Sequence, residues 1–333
     1  MNKNNMFTLN RREFLKGSVI GLASLSALSC ESLIANETRK KAKIVLFKTQ
    51  ERGEGVREVL KLLDFPSVKG QKVLLKPNFN TADPTPGSTH NDTLSTLIQE
   101  IKERGASEIT IGERSGPPLT KKVLEAKGIF KLAQELDFKI INFEELTEKD
   151  WVHFNPHGCH WKEGFYIARP AVEAEYVVST CCLKTHQYGG VFTLSLKLAV
   201  GLTPKKLMRE LHSSPDMRKM IAELNLGYKP QLIVLDGIEA FVDGGPSTGT
   251  RKEANVFLAG RDRIAVDAAG IAVLKDLGSK KDIMDRKIFE QEQIKRAVEL
   301  GLGISDPDQI EFIAPNKASR EYANKIKSIL AQG

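Results

Sequence analysis

Apolar positions along the chain follow two alternating rhythms. Residues 44–47, 72–75, 108–111 and 138–141 are short β-prone runs bounded by Gly, Pro or charge. Between them, residues 56–63, 94–101 and 123–136 repeat apolar side chains at helical spacings of three and four. The order β-α-β-α-β-α-β predicts parallel strands joined by helical crossovers. Residues 151–171 break the rhythm with Pro156, Gly158, Gly164 and Pro170, and read as an irregular excursion. Beyond it, 174–180, 231–236 and 255–259 read as strands, and 193–200, 204–211, 217–224, 264–274, 289–300 and 318–330 as helices. The expected fold is α/β, a mostly parallel sheet flanked by helices on both faces and occupying residues 43–333. Two α/β halves, 43–150 and 171–333 with a junction at 151–170, are an alternative that would put a site between them.

Composition narrows the function classes. The chain has 333 residues, 41% hydrophobic and 27% charged, so it has ample length to bury a core and no disordered character. Its net charge of +7 raises the question of nucleic acid. The first 29 residues carry Lys3, Arg11, Arg12 and Lys16 against Glu13 alone, and the remainder holds 45 basic and 41 acidic residues, a surplus of +4. That surplus forms no long basic run and aromatics are only 7%, so no nucleic-acid partner is expected. Four cysteines without a C-x2-C-x2-C run exclude a disulfide scaffold and a ferredoxin-type iron–sulfur cluster.

The amino-terminal stretch reads as an address. Asn10-Arg11-Arg12-Glu13-Phe14-Leu15-Lys16 precedes a mild apolar run at 17–28, and the paired arginines resemble a twin-arginine export signal occupying residues 1–29. An amphipathic arm is the bland alternative. Ala27-Leu28-Ser29-Cys30 resembles a lipobox, so two fates are compatible with it: lipidation at Cys30, or a plain cut nearby with 30–42 as a linker. The expected location is the periplasm, free or anchored by lipid, with the twin-arginine translocase as partner during export. Membrane contact would come only through the signal or the anchor.

Three segments carry candidate chemistry. Strand 176–182 runs into Leu183-Lys184-Thr185-His186, and extended backbone would project Cys182, Lys184 and His186 to one side. Thr193 and Lys197 lie four apart on an apolar segment, where a helix would place them on one face. Lys76-Pro77-Asn78 ends a strand, and His90 precedes plausible helix caps at Asn91-Asp92. Asp236 closes another strand before a glycine-rich turn that includes Gly245. Such strand-end positions are where open α/β sheets bind ligands. His153, His157, Cys159 and His160 look metal-like by composition, yet their spacing fits no zinc motif. Cys159 could instead bridge to Cys181 or Cys182.

Lys184-Thr185-His186 with Thr193, Leu196-Lys197 and Gly201-Leu202-Thr203-Pro204, then Val234-Leu235-Asp236-Gly237 and Gly244-Gly245-Pro246, resemble the family called domain of unknown function 362. Lys76-Pro77-Asn78, His90 and Asp267 fit the same pattern, over roughly residues 43–275. The resemblance implies no established reaction, and the cluster-binding module carried by many relatives is lacking here. The expectation is an enzyme acting on a small anionic ligand, with Lys184, His186 and His90 as catalytic groups. Lys76, Asn78, Thr193, Lys197, Asp236 and Gly245 would hold the anion. A metal ion on His90 and His186 belongs to the same reading, and a non-catalytic cofactor or metal carrier, or an envelope lipoprotein, is the alternative. As strand-end loop residues, Lys184 and His186 are expected to be replaceable by alanine with little change in stability.

Overall fold

The computed structural model describes residues 41–333, so the arginine pair at 11–12 and Cys30 lie outside the described residues. The described residues belong to one compact unit. Its centre is a nine-stranded sheet. In chain order the strands are β1 (Ala42–Lys48), β2 (Lys72–Lys76), β3 (Glu108–Glu113), β4 (Lys139–Asn142), β5 (Trp151–Phe154) and β6 (Phe165–Ala168), followed by β7 (Tyr176–His186), β8 (Val191–Thr193), β9 (Leu232–Phe241), β10 (Arg251–Gly260) and β11 (Ile310–Ile313). The sheet runs β11-β1-β10-β9-β7-β2-β3-β4, with β8 paired to β7 and with β5 and β6 forming a separate two-stranded sheet.

The fold is α/β and the sheet mostly parallel, with antiparallel pairing only where β10 meets β1 and β9 and where β8 meets β7. Its strands read as unbroken apolar runs because both faces are covered. Along β1, Ile44 and Leu46 join one core cluster while Val45 and Phe47 join the other. On β9, Ile233 and Leu235 face the first cluster and Leu232 and Val234 the second. Helix Arg263–Asp276 packs on one face, and helices Arg52–Leu62 and Asn91–Glu103 on the other.

Four expectations are corrected. The segments 43–150 and 171–333 are not separate halves, because β1 inserts between β10 and β11 of the same sheet. Residues 151–171 contain the β5–β6 hairpin, in which Trp151 pairs with Ala168 and Phe154 with Phe165, and the glycines and prolines fall in or beside its connections. Residues 123–136 form two helices, Thr120–Ala126 and Ile129–Leu136, separated by Gly128 at φ +68°. Finally, 193–200 is no α-helix. Val191–Thr193 is strand β8, and Leu196–Leu202 is a 3-10 helix.

The parallel strands bring their carboxyl ends to one edge. There β2 ends at Lys76, opposite Ser179 of β7, while β7 continues to His186. Its extension pairs with β8 through Lys184 and Thr193. The sheet therefore opens between β2 and β8, at the kind of crevice that α/β folds use for ligands.

Candidate functional site

A small cavity of about 50 Å³ lies at that crevice, enough space for a few water-sized groups. Lys76, Asn78, Lys184, His186, Thr193 and Lys197, all named from the sequence, line it. Glu113 and Arg114 complete its charged wall, with Gly201 beside them. Glu113 and Arg114 escaped the sequence reading, although the apolar run of β3 ends on a charged pair just as β2 ends on Lys76.

Each cation is held differently. Lys76 Nζ donates to Glu113 Oε1 at 2.7 Å and to the Pro77 carbonyl at 2.6 Å, leaving its third proton free. Glu113 also accepts from the backbone N–H of Phe79 at 2.8 Å and of Arg114 at 2.9 Å. The Arg114 guanidinium donates to the carbonyls of Thr203, Ser115 and Val200, which ties the 3-10 segment to the end of β3. Lys184 Nζ meets Asn78 Oδ1 at 3.1 Å and the carbonyls of Gly87 at 2.5 Å and Pro246 at 2.9 Å. All three of its protons are thereby used, so Lys184 contributes a fixed charge rather than a free donor.

Lys197 is the exception: among the described residues no acceptor or carboxylate pairs with its amine. Thr193 Oγ1 and His186 Nδ1 are likewise buried without a hydrogen-bond partner. Asp267 sets the backbone between them, accepting from Ser195 N at 2.7 Å and Leu196 N at 3.0 Å. Thr193 and Lys197 thus reach the same cavity through strand pairing and an anchored turn, not through helical spacing.

Burial and mutual repulsion shape the electrostatics. Desolvation lowers the Lys184 amine to about 8, and desolvation together with Lys184 and Arg114 lowers Lys197 to about 7. Burial brings Arg114 down to about 10. Desolvation, then the nearby lysines, hold the His186 pKa far below its ordinary value, so its ring is neutral. Burial raises Asp267 to about 7. Several cations thus face one carboxylate, Glu113, in a site partly withdrawn from water.

The depressed amines carry a stability consequence. Folded Lys184 and Lys197 hold a proton more weakly than the ordinary 10.5 of an unfolded lysine. Their burial therefore penalises the fold below their folded pKa values, and the penalty is relieved as pH rises toward 10.5. Measured by urea unfolding, the wild type should gain stability relative to Lys197→Met between about pH 7 and about pH 9. A constant difference over that range would mean an ordinary hydrated amine.

Three expected members, Asp236, His90 and Gly245, do not line the cavity. The Asp236 carboxylate accepts from Arg52 Nε at 3.0 Å, Thr93 Oγ1 at 2.7 Å and Ile238 N at 3.2 Å, pinning two helices to the sheet. His90 is the N-cap of helix Asn91–Glu103, its Nδ1 accepting from Asp92 N at 3.1 Å. Gly245 is a spacer at φ +70°, where a Cβ would run into the Thr185 carbonyl. This lets the next residue present its carbonyl to Lys184. Among the described residues no group of three or more His, Cys, Asp or Glu is placed to hold a metal ion. His160 instead pairs with buried Glu223 at 2.6 Å, and Cys159, Cys181 and Cys182 are free thiols.

Residues 73–272 match the family model described as Domain of unknown function (DUF362). The chain belongs to this family. Every residue lining the cavity falls inside the DUF362 match. The chain is also 28% identical over 209 residues to a thylakoid-associated protein of Synechocystis sp., an alignment covering 60% of this chain and 61% of that relative. The chain thus matches about three fifths of the curated relative's length. Among solved structures, it is similar to the lactate racemase apoprotein of Thermoanaerobacterium thermosaccharolyticum, at a TM-score of 0.46 and 13% identity over 85% of each chain. A likeness of that degree carries no argument about activity. Among the described residues no helix is long and apolar enough to cross a membrane.

Proposed function

We propose that this DUF362 domain is an enzyme acting on a small anionic substrate. The carrying observation is that Thr193 Oγ1 and His186 Nδ1 are buried without partners while lining, together with the Lys197 amine, one cavity where cations outnumber carboxylates. A buried polar group without a partner is costly, and a ligand that bonds to these groups removes the cost. A carboxylate or phosphate would accept from Thr193 and from the spare proton of Lys76 in the field of Lys184 and Arg114. Bound negative charge would also raise the proton affinity of His186, converting a poor base into a group able to move a proton.

His186 also borders an outer cleft of about 570 Å³ with Gln187, Val191, Arg218 and Lys280. A substrate with its charged end in the cavity and its body in that cleft would meet the imidazole at their boundary. Titration calorimetry with acetate and inorganic phosphate at neutral pH tests the reading. At least one should bind the wild type, and Thr193→Val should weaken it on the order of tenfold, the effect of about 1.4 kcal/mol. No binding of either anion, or unchanged affinity in Thr193→Val, would overturn it.

We also propose that the chain is exported through the twin-arginine translocase and works in the periplasm or at a membrane surface. Support comes from Arg11-Arg12 and the mild apolar run after them. The thylakoid association in the relative's name fits a membrane-surface location, as lipidation at Cys30 would produce. Replacing both arginines by lysine should leave precursor in the cytoplasm. Normal export of that variant, followed by cell fractionation, would refute the signal.

A further inference from the structure

The lysine without an acceptor differs in kind from the other cations. Lys76 has a carboxylate, while Arg114 and Lys184 each have three oxygen acceptors. The Lys197 amine has none among the described residues, and its charged neighbours Lys184 and Arg114 repel its proton. An anion seat needs fixed positive charge, which those neighbours already supply. An amine brought close to its neutral form by desolvation, and further by two cations, is better suited to use its lone pair.

Its surroundings suit a carbonyl reaction. Lys197 Cε and His186 Nδ1 each lie 2.9 Å from the point where a Gly190 Cβ would stand, so the glycine leaves both against one wall. Thr193, on the strand paired with Lys184, offers a hydroxyl to the same space. One cavity therefore contains a nucleophile, an uncharged proton carrier and a hydroxyl, beside fixed cations able to orient an acid group.

We propose that Lys197 forms a Schiff base with the carbonyl of a small oxo acid whose carboxylate seats among Lys76, Thr193 and the fixed charges of Lys184 and Arg114. This rests on the anionic-substrate reading above and specifies the substrate class. The Nζ lone pair attacks the carbonyl carbon as the carbonyl π pair moves to oxygen, and His186 Nδ1 relays one amine proton to that oxygen to give the carbinolamine. It then relays the second amine proton to the hydroxyl, which departs as water as the C=N bond forms. No oxidation state changes and no co-reactant is required. The small cavity suits the acid and carbonyl end of a short oxo acid.

Pyruvate with sodium borohydride is the test, using the full chain and mapping adducts by peptide mass spectrometry. One reduced pyruvate adduct on Lys197 is expected, absent when acetate replaces pyruvate and absent in Lys197→Arg, which keeps the charge. Its rate of formation in the wild type should rise around pH 7 rather than near the ordinary 10.5, a readout that needs no variant. No adduct, or adducts spread over surface lysines that persist in Lys197→Arg, would overturn the proposal. If acetate binds while pyruvate leaves no adduct, the Schiff base fails and the anion site stands. If neither acetate nor phosphate binds, the underlying reading fails as well.

Discussion

Replacing Glu113 with alanine should cost about 3–5 kcal/mol of folding stability, the usual penalty for breaking a buried ion pair. Lys76 and Glu113 are each 2% exposed, and their charged atoms are 2.7 Å apart. Without the carboxylate, the ammonium keeps only the Pro77 carbonyl, and the N–H groups of Phe79 and Arg114 lose their acceptor. The Gly201 backbone packs against the pair, a Cβ there lying 2.8 Å from Glu113 Oε1 and 2.9 Å from Lys76 Nζ, and a water entering from the cavity would bring no negative charge to the ammonium. Urea unfolding should show a lower midpoint with an unchanged slope. Removing both charges in Lys76→Met/Glu113→Gln should be less harmful than Glu113→Ala alone, since no unpaired ion remains buried. A loss below about 1 kcal/mol in Glu113→Ala would show that the pair behaves as a hydrated surface bridge.

Lys184→Met should both destabilise the protein and weaken anion binding. The expectation that this residue could be replaced cheaply assumed a solvated strand end, whereas Lys184 is 0% exposed. Its amine joins three otherwise separate pieces of chain, at Asn78, Gly87 and Pro246. Each acceptor left buried without a donor costs about 1–3 kcal/mol, so a total on the order of 3 kcal/mol is expected even if part of the network relaxes. The lost positive charge should reduce acetate or phosphate affinity by more than about tenfold. Thermal unfolding and calorimetry of the same preparation separate the two effects. An unchanged melting temperature would mean that the loops around Gly87 and Pro246 hold their positions without the lysine. His186→Ala should be milder on stability, because the ring nitrogen Nδ1 gives no partner up.

Local pattern was enough to place seven of the sheet's nine strands and most of the helices, but not β8 or β11. The apolar runs at 44–47 and 231–236 lie on strands whose alternate side chains enter opposite core clusters, while Val73 and Leu75, like Ile109 and Ile111, enter one cluster together. Helix 217–224 falls where its periodicity placed it. Lys76, Asn78, Lys184 and His186 were also legible, since a polar residue ending an apolar strand stands at an edge whatever the strand order. Tertiary structure decided what local pattern does not encode. Residues 191–200 are apolar enough for a buried helix or a buried strand, and short apolar runs do not distinguish the two. Pairing with β7 and the two backbone hydrogen bonds that Ser195 and Leu196 donate to Asp267 settle that segment as a strand, a turn and a 3-10 helix. The same long-range geometry separates His90 and Asp236 from the cavity and brings Glu113 and Arg114 into it. Which strand ends share a crevice depends on their order in the sheet, and that order is set by pairing between residues far apart in the chain.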